Sequence, residues 1–148
     1  MSQIRATSCA SKRSIGVDVL TAARQRIAWT FDNFPRVYVS FSGGKDSTVM
    51  LHLVADEARR RGRTFGLLFV DLEGQYKLTV EHVAECYRLY ADMIEPHWVC
   101  LPIILRNAVS QFEPRWCCWE PSREADWIRP KPSQARSEAY PFFRNRME

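Results

Sequence analysis

A pair of glycines between a predicted strand and a predicted helix constrains this chain more than any other feature. The segment RVYVSF, residues 36–41, is rich in β-branched and aromatic side chains and predicts a buried strand. After Gly43 and Gly44, apolar residues recur every three or four positions, which predicts an amphipathic helix that ends near Gly62. These apolar positions are Val49, Met50, Leu53, Val54 and Ala58.

The same alternation continues to residue 105. Helices are predicted at 17–34, 45–61 and 76–94, and strands at 36–41, 64–71 and 97–105. Pro35 and Pro96 are expected to end the first and third helices, and Pro102 indicates an edge position or an end within the last strand. Because strands alternate with helices, this order predicts an α/β fold with a parallel sheet and right-handed crossovers.

The remaining residues differ in composition from the rest of the chain. From Arg106 onward they hold five of the eight prolines and three of the five tryptophans. Regular structure is not expected there, but the segment is too aromatic for a disordered tail and is expected to pack against the sheet or against a partner. We therefore predict a flexible N-terminus at 1–15 and a single domain at 16–148. Its αβ core is expected at 16–105, followed by an irregular segment at 106–148 that is rich in proline, tryptophan and arginine.

Length and composition agree with one globular domain. The chain has 148 residues, of which 46% are hydrophobic and 26% charged. A net charge of +4 permits an anionic ligand such as a nucleotide and falls short of the basic character of a dedicated nucleic-acid binder. Neither a signal-peptide core nor a run of about eighteen apolar residues is present, so we expect a cytoplasmic protein without a membrane span.

The cysteines do not predict a structural cross-link. There are five of them and no CxxC pair, which argues against a disulfide framework or a zinc ribbon and favours reduced thiols. Cys117 and Cys118 are adjacent, between two tryptophans. They could be a redox pair, a half-site completed by another chain, or small packing residues in an aromatic pocket.

The stretch SFSGGKDS, residues 40–47, has the composition of a phosphate-binding loop. At the start of a helix, unpaired N–H groups and the positive end of the helix dipole attract an anion, and glycines allow its close approach. Lys45 adds a positive charge, and the hydroxyls of Ser42 and Ser47 can donate hydrogen bonds to phosphate oxygens. Asp46 would repel a phosphate, so its expected role is to hold Mg²⁺ or to cap the helix. The loop does not fit the Walker A pattern, and a glycine turn without a ligand is the alternative.

This loop resembles the SGGxDS signature of the PP-loop ATP pyrophosphatase superfamily. Within that superfamily the chain is most similar to the phosphoadenosine phosphosulfate (PAPS) reductase family, and in particular to its branch of immunoglobulin-binding regulator A type proteins. The similarity rests on YVSFSGGKDSTVMLHL, VDLEGQY and EPRWCCWEPSREADWIRPKP, and it covers residues 14–146. It implies an adenine nucleotide alpha hydrolase-like fold of three layers, with helices on both faces of a parallel sheet and the ligand at the carboxyl ends of the strands.

The resemblance also implies site residues. Lys45 and Asp46 are the expected catalytic residues, and Asp46 is the expected metal ligand. Asp71 stands where the superfamily recognises the adenine and the ribose, although a carboxylate at a strand end can equally serve as a local cap. Glu73 and Gln75 follow in the same loop and could line the pocket. The expected nucleotide ligands are Ser40, Ser42, Gly43, Gly44, Lys45, Asp46, Ser47 and Asp71.

Two functions from different classes follow from the resemblance. The first is an enzyme, either a PAPS reductase-like oxidoreductase or transferase or an ATP pyrophosphatase. It would act on the sulfate or phosphate end of PAPS, adenylylsulfate or ATP, with Mg²⁺ as a candidate cofactor. The second is a regulatory or partner-binding module of the same fold, with a ParB-like protein as the candidate partner. The ECGLH-like cysteine tail of the reductases is missing, and Cys117-Cys118 lacks the second cysteine pair that an iron–sulfur cluster needs, so no cluster is expected in this chain alone.

The C-terminal segment is the expected surface for other partners. Its aromatic residues could support a homodimer or a contact with another protein. Its arginines could bind a 3′-phosphate, a nucleic-acid backbone or an acidic partner, or could pack their stems on the tryptophans. The histidines His52, His82 and His97 have no partner that the sequence identifies and are expected at the surface or in the core.

Overall fold

The computed structural model describes residues 16–107 and 109–135. The elements are α1 (Val19–Asn33), β1 (Tyr38–Ser40), α2 (Lys45–Arg61), β2 (Phe65–Val70), α3 (Lys77–Leu89), β3 (Ile94–Val99), β4 (Ile103–Arg106), β5 (Arg115–Cys118) and a 3₁₀ helix (Pro121–Asp126). Strands β1, β2 and β3 lie in that order in a parallel sheet flanked by helices, which confirms the predicted α/β class. No helix in these two ranges combines the length and the apolar character that a membrane span needs. The stretch 1–15, predicted to be flexible, lies outside the described residues.

The core lies between the central strand β2 and the helices α2 and α3. Phe65, Leu67 and Phe69 alternate along β2 and are at most 2% exposed. They belong to one cluster with residues of α2 such as Leu51 and of α3 such as Val83. Burying a large apolar side chain contributes about 1.5–3 kcal/mol, so this alternation fixes which face of β2 meets the helices.

Local signals set the ends of α1 and α2. Asp18 caps α1, because its carboxylate accepts hydrogen bonds from the N–H and the hydroxyl of Thr21 at 2.9 and 2.6 Å. At the end of α2, Gly62 adopts a left-handed φ of 59°, which glycine tolerates best. The guanidinium of Arg63 then donates hydrogen bonds to carbonyl oxygens at the end of α1, those of Phe31, Phe34 and Pro35. This single side chain therefore ties the ends of the two helices together.

The third helix is shorter than predicted. It ends at Leu89, and Ile94 already begins β3, so the prediction of a helix to residue 94 was wrong. The chain turns between them, where the N–H groups of Met93 and Ile94 both donate to the carbonyl of Tyr90. Pro96 lies within β3 instead of ending a helix. Among the described residues β3 pairs with β2 alone, and such an edge strand tolerates proline.

The region after residue 97 holds more regular structure than predicted. The single strand predicted at 97–105 is divided into β3 and β4, and Pro102 lies in the break. The segment from residue 106 was predicted to be irregular, but β5 pairs antiparallel with β4 and a 3₁₀ helix follows. Of the two predicted alternatives, packing against the sheet or against a partner, the structure shows the first, because Trp119 is fully buried in the main core cluster.

Candidate functional site

The glycine loop leaves the sheet at the carboxyl end of β1. The N–H of Phe41 still donates to the carbonyl of Leu68 in β2 at 2.8 Å, so the strand pairing extends up to the loop. Gly43 then takes a φ of 75°, a left-handed conformation that favours glycine. Gly44 precedes the first residue of α2 in an extended conformation, and it makes no side-chain cap. The predicted order of strand, glycine loop and helix is therefore confirmed.

Two serine hydroxyls hold the loop in shape. The hydroxyl of Ser47 donates to the carbonyl of Gly44 at 2.9 Å and lies 3.0 Å from the hydroxyl of Ser42. The N–H of Gly44 donates to Ser42 Oγ at 3.3 Å, and the N–H of Ser42 donates to Ser47 Oγ at the same distance. Because the Ser47 hydroxyl donates its proton to the Gly44 carbonyl, the Ser42 hydroxyl donates to Ser47 Oγ. Both hydroxyl protons are thus used within the loop, where the sequence predicted that they would donate to a phosphate.

The backbone at the start of α2 remains available to an anion. In an α-helix the first N–H groups have no acceptor within the helix, and here Thr48 is the first residue whose N–H donates back, to Gly44 at 2.9 Å. The N–H groups of residues 45–47 have no acceptor among the described residues. Together with the positive end of the helix dipole they form an anion site at the carboxyl end of the sheet.

Lys45 and Asp46 occupy the first turn of α2 and are both exposed. Neither makes an ion pair with another described residue, so the ammonium and the carboxylate are both available to a ligand. No group of three or more metal-ligating side chains lies within residues 16–107 and 109–135. Asp46 alone therefore fits a Mg²⁺ ion that arrives with nucleotide phosphates, because such ions take only one or two carboxylates and keep the phosphate oxygens as ligands.

Ser40, a predicted nucleotide ligand, is the last residue of β1. It is exposed at the end of β1 and borders a cavity of 170 Å³ between α1, β1 and α2. The cavity lining is mostly apolar and includes Ile27, Phe31, Val39 and Met50. Within the described residues no hydrogen bond joins the Ser40 side chain to Ser42 or Ser47.

Asp71, the predicted adenine and ribose ligand, is fully buried at the carboxyl end of β2. One carboxylate oxygen accepts hydrogen bonds from the N–H of Glu73 at 2.9 Å and from the guanidinium of Arg129 at 2.5 Å. The other oxygen accepts the indole N–H of Trp98 at 2.8 Å. By accepting the N–H of Glu73, two residues later, the carboxylate caps the local backbone, which is the alternative to nucleotide recognition given for Asp71 above.

Glu73, also predicted to line the pocket, is buried and binds the C-terminal segment. Its two carboxylate oxygens accept the N–H of Trp119 at 2.6 Å and the N–H of Ile128 at 2.9 Å. The indole of Trp119 donates in turn to the backbone carbonyl of Asp71 at 2.6 Å. We call this set of contacts, from Asp71 and Glu73 to Trp119, Ile128 and Arg129, the acidic anchor. It holds the C-terminal segment against the carboxyl end of β2.

Two cations and two tryptophans cover the acidic anchor. The Arg129 guanidinium lies 5.0 Å from the ring centre of Trp119, and the Lys131 ammonium lies 4.8 Å from that of Trp127. The two indole rings meet edge to face at 5.3 Å. These distances are typical of cation–π and aromatic pairs. The sequence analysis offered packing of arginine stems on the tryptophans as one use of the arginines; in Arg129 it is the guanidinium that lies over the ring of Trp119.

The cysteines near the site are shielded to different degrees. Cys118 is fully buried and its thiol lies 3.4 Å from the carbonyl oxygen of Ile103, whereas its neighbour Cys117 is partly exposed. Burial raises the pKa of the Cys117 and Cys118 thiols. Burial raises the pKa of Cys100 to about 12, and the nearby Asp71 carboxylate adds to this shift.

We expect Cys117 to be the first of the described cysteines to react with a maleimide at pH 7. A thiol whose pKa is raised holds little thiolate at neutral pH, so the reaction should be slow and should accelerate as the pH rises. Cys100 and Cys118 should stay unmodified until the protein unfolds, because they are buried as well as protonated. Peptide mapping by mass spectrometry measures these rates, and equal labelling of Cys117 and Cys118 in the folded protein would contradict the structure.

Two comparisons with known proteins found similarities to this chain. Residues 36–97 match the family model described as "Phosphoadenosine phosphosulfate reductase domain". The matched region contains the glycine loop and Asp71. The Escherichia coli (strain K12) protein named "Uncharacterized protein YbdN" is 46% identical over 125 residues, which cover 84% of this chain and 30% of that protein. The chain thus spans less than a third of the length of this curated relative.

Proposed function

We propose that the glycine loop of this chain binds the phosphate or sulfate end of an adenine nucleotide, since residues 36–97 match the phosphoadenosine phosphosulfate reductase domain. PAPS, adenylylsulfate and ATP are the candidate ligands. The observation that carries the proposal is the array of N–H groups at residues 45–47, which have no acceptor among the described residues and lie at the carboxyl end of the parallel sheet. We further propose that residues 16–148 form one nucleotide-binding domain.

Each residue of the loop has a distinct part in this proposal. The backbone of residues 45–47 would donate hydrogen bonds to the anionic oxygens, and the Lys45 ammonium would neutralise their charge. Asp46 would hold a Mg²⁺ ion against the same oxygens, and the metal would supply charge stabilisation for a departing phosphate or sulfate group. The hydroxyls of Ser42 and Ser47 would keep the loop in the shape that presents those donors.

Asp71 and Glu73 support the site indirectly in this proposal. Both carboxylates already have partners in the acidic anchor, so they would shape the end of the sheet next to the loop and hold the C-terminal segment there. The nucleotide base would then be recognised by groups other than the Asp71 carboxylate.

A second candidate function is a nucleotide-binding regulatory module that does not reduce sulfur. The two adjacent thiols favour this candidate. The Cys118 thiol is buried, and burial raises the pKa of the Cys117 thiol, so neither has the lowered pKa of a nucleophilic cysteine. The finer resemblance to regulator A type proteins and the ParB-like partner belong to this candidate. Turnover of a bound nucleotide in the absence of any other protein would count against it.

Isothermal titration calorimetry with ATP, PAPS and adenylylsulfate, each with Mg²⁺, tests the nucleotide-binding proposal. The Lys45→Ala variant is expected to bind about 10–100-fold more weakly, since a hydrogen bond to a charged group contributes about 1.5–3 kcal/mol. Asp46→Ala should weaken binding with Mg²⁺ and have a smaller effect without it. Lys77→Ala is the matched control, because Lys77 is an exposed lysine in the first turn of α3. The proposal fails if the wild type binds none of the three nucleotides, or if Lys45→Ala and Lys77→Ala bind equally well.

A further inference from the structure

One turn into α2, the hydroxyl of Thr48 connects the glycine loop to α3. Thr48 Oγ1 lies 2.9 Å from the carbonyl oxygen of Gly44 and 2.9 Å from Nε2 of His82. Gly44 is the residue that precedes α2, and its carbonyl also accepts the N–H of Thr48. The side chain of His82 therefore acts on the first turn of the helix whose N–H groups form the anion site.

The direction of these bonds follows when the Thr48 hydroxyl is bonded to the Gly44 carbonyl, which also accepts the N–H of Thr48 and the hydroxyl of Ser47. A carbonyl oxygen can only accept, so the single hydroxyl proton of Thr48 is donated to Gly44. Thr48 Oγ1 must then accept from His82, which requires a proton on Nε2 of the imidazole. The chain of bonds then runs from His82 to Thr48 and on to Gly44, and the Cys86 thiol lies 3.7 Å from the same Nε2.

Other contacts show that α3 packs against the glycine loop from behind. A Cβ added at Gly43 would lie 2.9 Å from methyl groups of both Thr79 and Val83. The ring of Phe41, just before the loop, meets the imidazole of His82 with centres 6.1 Å apart. His82 thus adds a polar side chain to the surface of α3 that lies behind the loop.

We propose that His82 is a positioning residue for the anion site. By donating its Nε2 proton to Thr48, it fixes the Gly44 carbonyl and through it the direction of the N–H groups of residues 45–47. His82 contacts Thr48 and the ring of Phe41, so it acts on the anion site through Thr48. The expected effect of His82 on nucleotide binding rests on the proposed function. The expected effect of His82 on the structure of the loop does not depend on it.

A second histidine provides a matched control. His52 lies one turn after Thr48 on α2, and its Nδ1 contacts the hydroxyl of Tyr90 just after α3. This pair joins α2 to the turn after α3 through the same kind of groups, and within the described residues no hydrogen bond links its side chains to residues 42–48. Loss of the His52 contact should therefore weaken the packing of α2 and leave the anion site unchanged.

The test compares His82→Leu, His82→Gln and His52→Leu in nucleotide binding and in NMR spectra. We expect His82→Leu to weaken nucleotide binding about threefold to tenfold, the size of effect of one hydrogen bond, and His82→Gln to restore most of it through its amide donor. His52→Leu should leave the dissociation constant unchanged. Imidazole ¹⁵N spectra should show His82 protonated at Nε2, and His82→Leu should shift the amide signals of residues 44–47.

Each outcome of this test decides the proposal. Nucleotide binding by His82→Leu at wild-type strength, equal weakening by His52→Leu, or failure of the glutamine variant to recover binding would overturn it. If the wild type binds no nucleotide, the proposed function fails. The imidazole and amide NMR spectra then still test whether His82 positions the loop. An Nδ1-protonated His82, or loop amide signals that do not move in His82→Leu, would then refute that role.

Discussion

Replacing Gly43 by alanine is expected to lower the free energy of unfolding by about 2–4 kcal/mol and to abolish nucleotide binding. Two costs add at this position. An L-residue at a φ of 75° is strained, and the new Cβ would lie 2.9 Å from side-chain methyl groups of Thr79 and Val83. Both methyl groups belong to α3, where Val83 is fully buried, so the loop must move away from α3 and lose the alignment of its N–H groups.

Gly44→Ala is the matched control for this change. The φ of Gly44 is −81°, and its Cβ would meet only Ser42 Oγ at 3.4 Å, an ordinary contact distance. Loss of the preferred glycine at this capping position should cost no more than about 1 kcal/mol. Urea denaturation followed by tryptophan fluorescence measures both variants. Equal midpoints for Gly43→Ala and the wild type would contradict the packing of α3 behind the loop.

Replacing Glu73 by glutamine is expected to destabilise the protein by about 2–4 kcal/mol, although the two side chains have the same shape. The carboxylate accepts two backbone N–H groups, those of Trp119 and Ile128, while it is buried. An amide offers one oxygen to these two donors and turns its own NH₂ group towards the other N–H. One donor is then left without an acceptor inside the acidic anchor, and charge assistance is lost from both bonds.

The loss should be concentrated in the C-terminal segment. Amide hydrogen exchange should accelerate at Trp119 and Ile128 in Glu73→Gln before it changes in β2, because these two N–H groups lose their acceptor. Glu124→Gln, the same substitution in the exposed 3₁₀ helix, should leave stability and exchange unchanged within about 0.5 kcal/mol. Wild-type exchange at Trp119 in Glu73→Gln would show that the anchor does not hold the segment.

The αβ core could be predicted because its signals are local. The strand before Gly43, the helix after Gly44 and the glycine that ends α2 are each encoded within a few residues. The end of α3 could not be read in this way. Tyr90 and Ile94 continue the helical spacing of the apolar residues, and both are buried in the turn and strand that follow. The spacing of buried residues is therefore the same for a longer helix and for the turn and strand that form.

The parts that were missed depend on contacts between distant segments. Strand β5 forms because residues 115–118 pair with 103–106, and neither segment predicts the other. The position of Asp71 at the end of a strand was predicted correctly. Its partner Arg129 lies 58 positions later, so no spacing rule could find it. The bond from His82 to Thr48 likewise requires α2 and α3 to pack side by side, and 34 positions separate the two residues.

A crystal structure of the protein with PAPS or with ATP and Mg²⁺ tests the central claim most directly. The account predicts a phosphate or sulfate group within hydrogen-bonding distance of the N–H groups of residues 45–47, with the Lys45 ammonium beside it. It also predicts that the Asp71 carboxylate keeps its bonds to Arg129 and Trp98 while the nucleotide is bound. A nucleotide whose phosphates lie away from the glycine loop, for instance in the cavity beside Ser40, would contradict the account.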